Sequence, residues 1–261
     1  MRVLLAIAAV APILLLGCSE PAPSVADVPA EASAADTLAE SEPDVVVMDV
    51  TTDVVIDPRP DAVVLDAPAT CPSDMIEIDS FCMDRFEAPN IAGEKPLAFQ
   101  IATEGEAWCA ARGKRLCSER EWVRACEGAS KRPYPYGATY KRSTCTDDKT
   151  WIAPNWTTLG GYPSAASKAE ATRLYQADPS GARAGCKSEN GVMDLTGNVA
   201  EWVTRSFPNA NNYDHVMKGC YWSGCYGGSP PSCGFVNPAH PGTFRTYEAG
   251  FRCCQPSSAT G

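Results

Sequence analysis

Two stretches of this chain hold residues whose types and spacing could do chemistry. The first is GVMDLTGNVAEWV, residues 191–203, where Asp194 and Glu201 flank a Thr196-Gly197-Asn198 turn. Two carboxylates around a glycine turn suit a hard cation. Ca²⁺ takes about six to eight oxygen ligands, and a glycine lets the backbone turn carbonyls inward. The plainer reading is a hairpin turn with two solvated acids. The second stretch is Cys220-Tyr-Trp-Ser-Gly-Cys225. Two thiolates at that interval suffice for Cu(I), which prefers soft, low-coordinate sites. A disulfide needs no more than the same proximity. His215 and His240 could each act as a base beside an acid. No serine stands in a nucleophile-elbow pattern, however, and both read as surface or loop histidines.

The compartment decides among these chemistries. The chain opens MRVLLAIAAVAPILLLGCSE: one basic residue, Arg2, an apolar run, then Leu15-Leu16-Gly17-Cys18. The run is short for a membrane span and has the layout of a secretory signal. Gly17 before Cys18 matches a bacterial lipobox, so Cys18 is expected to become the lipidated first residue, with acyl chains (palmitate among them) anchoring the protein to a membrane. Ser19 after the cysteine favours the outer membrane, on its periplasmic or surface face. Residues 19–70 hold twelve acids against one base, Arg59, amid Ala, Pro, Ser, Thr and Val, which leaves twenty acids and twenty bases in residues 71–261. The net charge of −10 therefore belongs to an acidic, self-repelling tether, about 40 Å across as a flexible coil. No basic face stands out, which argues against nucleic acid as a partner. After Cys18 there are twelve cysteines, an even count that in an exported domain reads as a disulfide framework. No C-x-x-C pair and only two histidines accompany them, so a zinc cluster is poorly supported.

Residues 71–261 then fit one α+β domain, loop-rich and in need of staples. MIEIDSFCMDRF, 75–86, alternates around Asp79-Ser80 and predicts a hairpin that Cys71 and Cys82 could staple. Thr103-x-x-Glu106 and Ser118-x-x-Glu121 read as capping boxes, the first opening a helix that Gly113 stops, the second a helix turning Trp122, Val123 and Ala125 to the core. A third helix is expected at 167–176, and short strands at 198–203, 215–222 and 249–254. Residues 128–165 and 178–190 read as long ordered loops, whose aromatics could line a carbohydrate or peptide groove or fill the core.

RGKRLCSEREWVRAC (112–126), YPYG (134–137), GVMDLTGNVAEWV (191–203), KGCYW (218–222) and GFRC (250–253) together carry a family resemblance. In order and spacing they are similar to the sulfatase-modifying-factor family, the formylglycine-generating-enzyme domain with its complex C-type-lectin-like fold, across essentially all of 71–261. An active member of that family oxidises a substrate-protein cysteine to formylglycine with O₂ and copper on two thiolates. The resemblance implies a structural calcium ion on the Asp194 side chain, the Gly197 and Val199 carbonyls and Glu201. It also implies disulfides Cys109–Cys253 and Cys126–Cys233. Each would close more than 100 residues, for about 4–5 kcal/mol in a chain-entropy account.

The oxidase positions themselves are not matched. Ala200 stands where the family has its pocket tryptophan, and Tyr221 where the active-site serine follows the lysine-glycine turn. Gly224 takes the first copper cysteine's place, and Gly228 and Ser229 lie at the second. Only Cys220 and Cys225 remain as catalytic candidates, through a slip in loop register. The expectation is a lipid-anchored bacterial envelope protein whose domain binds a peptide, a glycan or an envelope partner. The alternative is a copper-dependent formylglycine-generating oxidase.

Overall fold

The computed structural model describes residues 71–258. The signal, Cys18 and the tether lie outside the described residues. Among those described, no helix is long and apolar enough to cross a membrane.

The expected hairpin forms as β1 (Met75–Ile78) and β2 (Phe81–Asp84), antiparallel, with Ile78 opposite Phe81 and Asp79 left-handed in the turn. The first helix, α1 (Ala102–Ala110), starts earlier than its capping pattern predicts. Glu104, not Glu106, caps it: its Oε2 accepts from the Ile101 amide at 3.1 Å. Glu106 instead meets His215 Nε2 at 2.8 Å. After β3 (Arg115–Leu116), helix α2 (Glu119–Glu127) begins on its capping box, the Ser118 amide donating to Glu121 and the Glu121 amide to Ser118 Oγ. The loop beyond holds a short helix, α3 (Trp156–Leu159), before α4 (Ala165–Leu174). Five strands follow: β4 (Ala200–Thr204), β5 (His215–Lys218), β6 (Val236–Asn237), β7 (Ala249–Phe251) and β8 (Cys253–Pro256).

These build two four-stranded sheets, ordered β1-β2-β8-β3 and β6-β5-β4-β7, the second with β4 and β7 parallel. The stretch 249–254, expected as one strand, is two. β7 ends in one sheet, β8 starts in the other, and Arg252 is the residue between them. α1 packs against strands of both sheets. One buried cluster gathers Trp202, Trp222, Tyr247 and Phe251, and a second gathers Phe81, Met83, Trp122 and Leu195.

The twelve cysteines of this region form six disulfides. Cys71–Cys82 ties the hairpin, Cys109–Cys253 and Cys117–Cys254 tie α1 and the start of α2 to β8, and Cys126–Cys233 ties the end of α2 to the loop before β6. Cys145–Cys186 joins the two long loops, and Cys220–Cys225 closes the turn after β5.

Candidate functional site

The GVMDLTGNVAEWV stretch is a buried turn. Gly197 is left-handed, and a Cβ placed on it would stand 2.3 Å from the Thr146 carbonyl oxygen, so the position accepts only glycine. Asn198 works as a hub. Its side-chain Nδ2 donates to Glu87 Oε1 at 2.9 Å, its side-chain oxygen accepts from the Asp178 amide, and its carbonyl accepts from the Trp222 amide. Beneath it lie three buried acids, Glu87, Asp194 and Glu201, and one buried base, Arg252. Arg252 forks onto Glu201 through Nε and Nη2, both at 2.7 Å, and donates to the carbonyls of Met193, Asp84 and Arg85. The indole of Trp122 adds a third bond to Glu201 at 3.0 Å. Arg252 thus neutralises the acid of β4 while fastening the corner at which the chain changes sheets.

That arrangement decides how well the nominated calcium ligands fit. Asp194 is buried, with Oδ2 accepting from the Gly181 amide at 2.7 Å. Val199 is fully buried. Glu201, however, has both oxygens committed to a guanidinium, and a dication there would be pressed against Arg252. As a set, the four do not fit a calcium ion. Among the described residues no group of three His, Cys, Asp or Glu side chains is disposed to hold a metal. The acids that Arg252 does not hydrogen-bond carry the electrostatic cost. Burial pushes the Asp194 carboxyl up to about 6, against the pull of its Gly181 hydrogen bond. Burial and then the Asp194 charge raise Glu87 well above the ordinary range, and Glu87 Oε2 has no partner.

The second stretch is the turn that follows β5. Cys220 and Cys225 are joined, so the pair offers no thiolate to copper. Ala200, Cys220, Tyr221 and Cys225 do meet, around a hollow of only about 10 Å³. That is room for one water at most. Tyr226 and Glu248 also line this hollow, and the same two residues line a much larger cleft, about 710 Å³, next to it. The Tyr226 hydroxyl donates to Glu248 Oε1 at 2.7 Å, and the Thr246 hydroxyl to Oε2. Burial raises the Glu248 carboxyl. Trp156, Leu159, Phe235, Val236 and Phe244 give the cleft apolar walls, and His240 stacks on Phe244 with ring centroids 3.8 Å apart. Arg245, also lining the cleft, pairs with Glu104 and lies 3.7 Å over the Tyr162 ring. Of the aromatics singled out in the sequence, Tyr221 and Trp222 are core, Tyr226 and Trp156 are cleft wall, and Trp151 is exposed.

Sequence reasoning missed Arg252, Glu87 and Glu248. Arg252 stands inside GFRC, and a charge between two apolar strand segments is the one signal of its burial. Glu87 and Glu248 sit in no pattern that marks them.

The fold and this site define a class: a disulfide-stapled α+β domain with a closed hollow where two cysteines approach and an open apolar cleft beside it. Residues 92–256 match the Sulfatase-modifying factor enzyme 1-like domain (FGE-sulfatase), and the chain belongs to that family. It is 32% identical over 132 residues to the inactive C-alpha-formylglycine-generating enzyme 2 of Bos taurus, covering 49% of this chain and 39% of that protein. With the Mus musculus protein of the same name the identity is 31%, over 49% of this chain and 38% of the relative. The chain thus spans about two fifths of the length of these relatives. Among solved structures it is similar to PvdO from Pseudomonas aeruginosa, with 17% identity, 68% of this chain and 80% of the other covered, and a TM-score of 0.44.

Proposed function

We propose that residues 71–261 are a non-catalytic binding module, carried on an acidic tether from a lipid on Cys18 in a bacterial envelope, at the outer membrane. The observation behind this reading is the Cys220–Cys225 bond beside a hollow too small for a substrate. The mammalian relatives' being named inactive supports it as well. The ligand is an extended peptide with apolar side chains, taken in the cleft. β6 ends its sheet and lines the cleft, so an added strand would find main-chain groups there as well as aromatic walls. The module needs no calcium, since Arg252 does the work assigned to the ion. The copper-oxidase alternative requires Cys220 and Cys225 to be reduced thiols.

Alkylation of the full chain under denaturing, non-reducing conditions, followed by mass spectrometry, separates the two. The module predicts no labelled cysteine between 71 and 254. Labels at Cys220 and Cys225 that copper blocks would put the oxidase first. A glycan array run beside a peptide array tests the ligand class, with Trp156→Ala as the control that should abolish capture by the cleft.

A further inference from the structure

A groove of about 440 Å³ lies between the segment that follows β2 and the 179–193 loop, and it shares no lining residue with the cleft or the hollow. Arg85 and Lys187 line it and no acid does, whereas Glu248 lines both of the others. Lys187 is exposed and Arg85 half-buried. Among the described residues neither side chain has an ion-pair or hydrogen-bond partner. Arg183, on the same loop, is by contrast held by Asp148 and Asp178. Met193 lies between the two free bases. It is bridged to Lys187 in antiparallel fashion, and on its other side its amide donates to the Arg85 carbonyl at 2.9 Å. The two bases therefore leave the backbone roughly 10 Å apart, two strand spacings, on either side of Met193. The walls are fixed as well. The amides of Gly93 and Ser180 donate to the carbonyls of Ser180 and Glu94, and left-handed Gly181 sits where a Cβ would come 2.8 Å from the Phe86 ring.

The ladder also has an open edge. The Ser188 amide donates to the Val192 carbonyl and the Asp194 amide to the Cys186 carbonyl, so Lys187 and Met193 face each other without exchanging bonds. In such a pair the main-chain groups of each residue point outward. Lys187 thus turns its own N–H and C=O away from Met193, and among the described residues neither has a partner. An unpaired edge takes an extended chain, and two unanswered bases in an acid-free groove attract carboxylates. We infer that this groove binds an extended acidic peptide of a partner protein. Its main chain pairs with Lys187, and its acids, at alternate positions so that they share one face, meet Lys187 and Arg85 over Met193. The site does not depend on what the large cleft binds.

The test is fluorescence anisotropy of a labelled, blocked peptide of alternating valine and glutamate with the full chain in detergent. The twelve acids of residues 19–70 are changed to their amides, so that they do not compete for the same bases. Saturable binding is expected, about tenfold weaker or more for the valine–glutamine peptide, and weakened again by salt at about 0.5 M. Arg85→Gln and Lys187→Gln should each lower affinity about tenfold. Lys187 is exposed and its replacement leaves the fold intact, so that variant decides the matter if the other does not fold. Trp156→Ala, which removes a wall of the large cleft, should leave this binding unchanged. No saturable binding at millimolar peptide would overturn the assignment, as would equal binding of the glutamine peptide or unchanged binding by a folded Arg85 or Lys187 variant. Loss with Trp156→Ala would overturn it too, by moving the peptide to the cleft. Displacement of the peptide by inorganic phosphate at equal concentration would overturn it in favour of a small-anion site.

Discussion

Asp194→Asn separates a calcium ligand from an unanswered buried acid, because the two readings predict opposite signs. In the folded chain the carboxyl titrates at about 6 instead of 3.8. An acid whose folded pKa is raised binds its proton more tightly folded than unfolded. Its ionisation therefore costs stability, fully above about pH 6 and not at all below about pH 3.8. A shift of two units is about 3 kcal/mol. Asparagine removes that penalty, keeps an oxygen for the Gly181 amide and tolerates the left-handed backbone at this position. The weaker acceptor returns about 1 kcal/mol, so the expected net gain near pH 7.5 is about 2 kcal/mol. For a domain of this size that is about 4–8 °C in Tm. Thermal melts of both proteins with disulfides intact, at pH 7.5 and pH 4 and with and without EDTA, give the comparison. The gain should be present at pH 7.5, small at pH 4 and indifferent to EDTA. A variant less stable than the parent, with EDTA erasing the difference, would refute the reasoning and return Asp194 to calcium.

Arg252→Met strips the buried carboxylates of their one cation and leaves the carbonyls of Met193, Asp84 and Arg85 without a donor. Breaking such a pair costs about 3–5 kcal/mol, and urea denaturation should show part of that loss restored when Glu201→Gln is added. Gly197→Ala forces a Cβ to within 2.3 Å of the Thr146 oxygen at a left-handed residue. A loss above about 2 kcal/mol is expected, and a loss below 0.5 kcal/mol, on the order of an ordinary surface change, would mean the turn relaxes. Burial lowers the Lys218 ammonium to about 8 from 10.5. The unfolded chain then holds that proton more tightly, so stability rises with pH between those values, and Lys218→Met should stabilise the domain at pH 7 by up to about 3 kcal/mol, less at pH 9. Melts at the two pH values read the difference directly.

What the sequence disclosed follows from where the information sits. The 75–86 hairpin and α2 announce themselves because alternation and a Ser-x-x-Glu cap are local, and local patterns need no partner to be read. α1 was displaced because two acids, Glu104 and Glu106, both lie near its start. Only tertiary contact, His215 on Glu106, decides which of them is free to cap. The 249–254 segment looks like one strand because each half alternates properly, and nothing local says that residue 252 changes sheets. The candidate sites show the same division. Proximity of Cys220 and Cys225 was visible from spacing, and so was a turn at Gly197. That Glu201 faces Arg252, fifty-one positions away, is a property of the fold alone.

The closed turn after β5 lies between the small hollow and the large cleft. The disulfide joins residues five apart, so it does little to restrict the unfolded chain compared with bridges that close more than 100 residues. Its effect is local. It fixes the turn at Gly224, which sets Tyr226 one residue past the bridge, and Tyr226 then spans to Glu248 as the partition between hollow and cleft. Two consequences follow from one bond: the sulfurs lose the thiolate that copper chemistry needs, and the cleft gains a rigid aromatic wall. Reduction should therefore alter ligand capture by the cleft before it alters global stability, since Tyr226 would lose its anchor while the three bridges that close more than 100 residues still hold the core. Selective reduction of Cys220–Cys225, followed by peptide binding and a thermal melt on the same sample, tests that order. Loss of binding at unchanged Tm is the expected outcome, and unchanged binding with the bond open would remove the disulfide from any part in shaping the cleft.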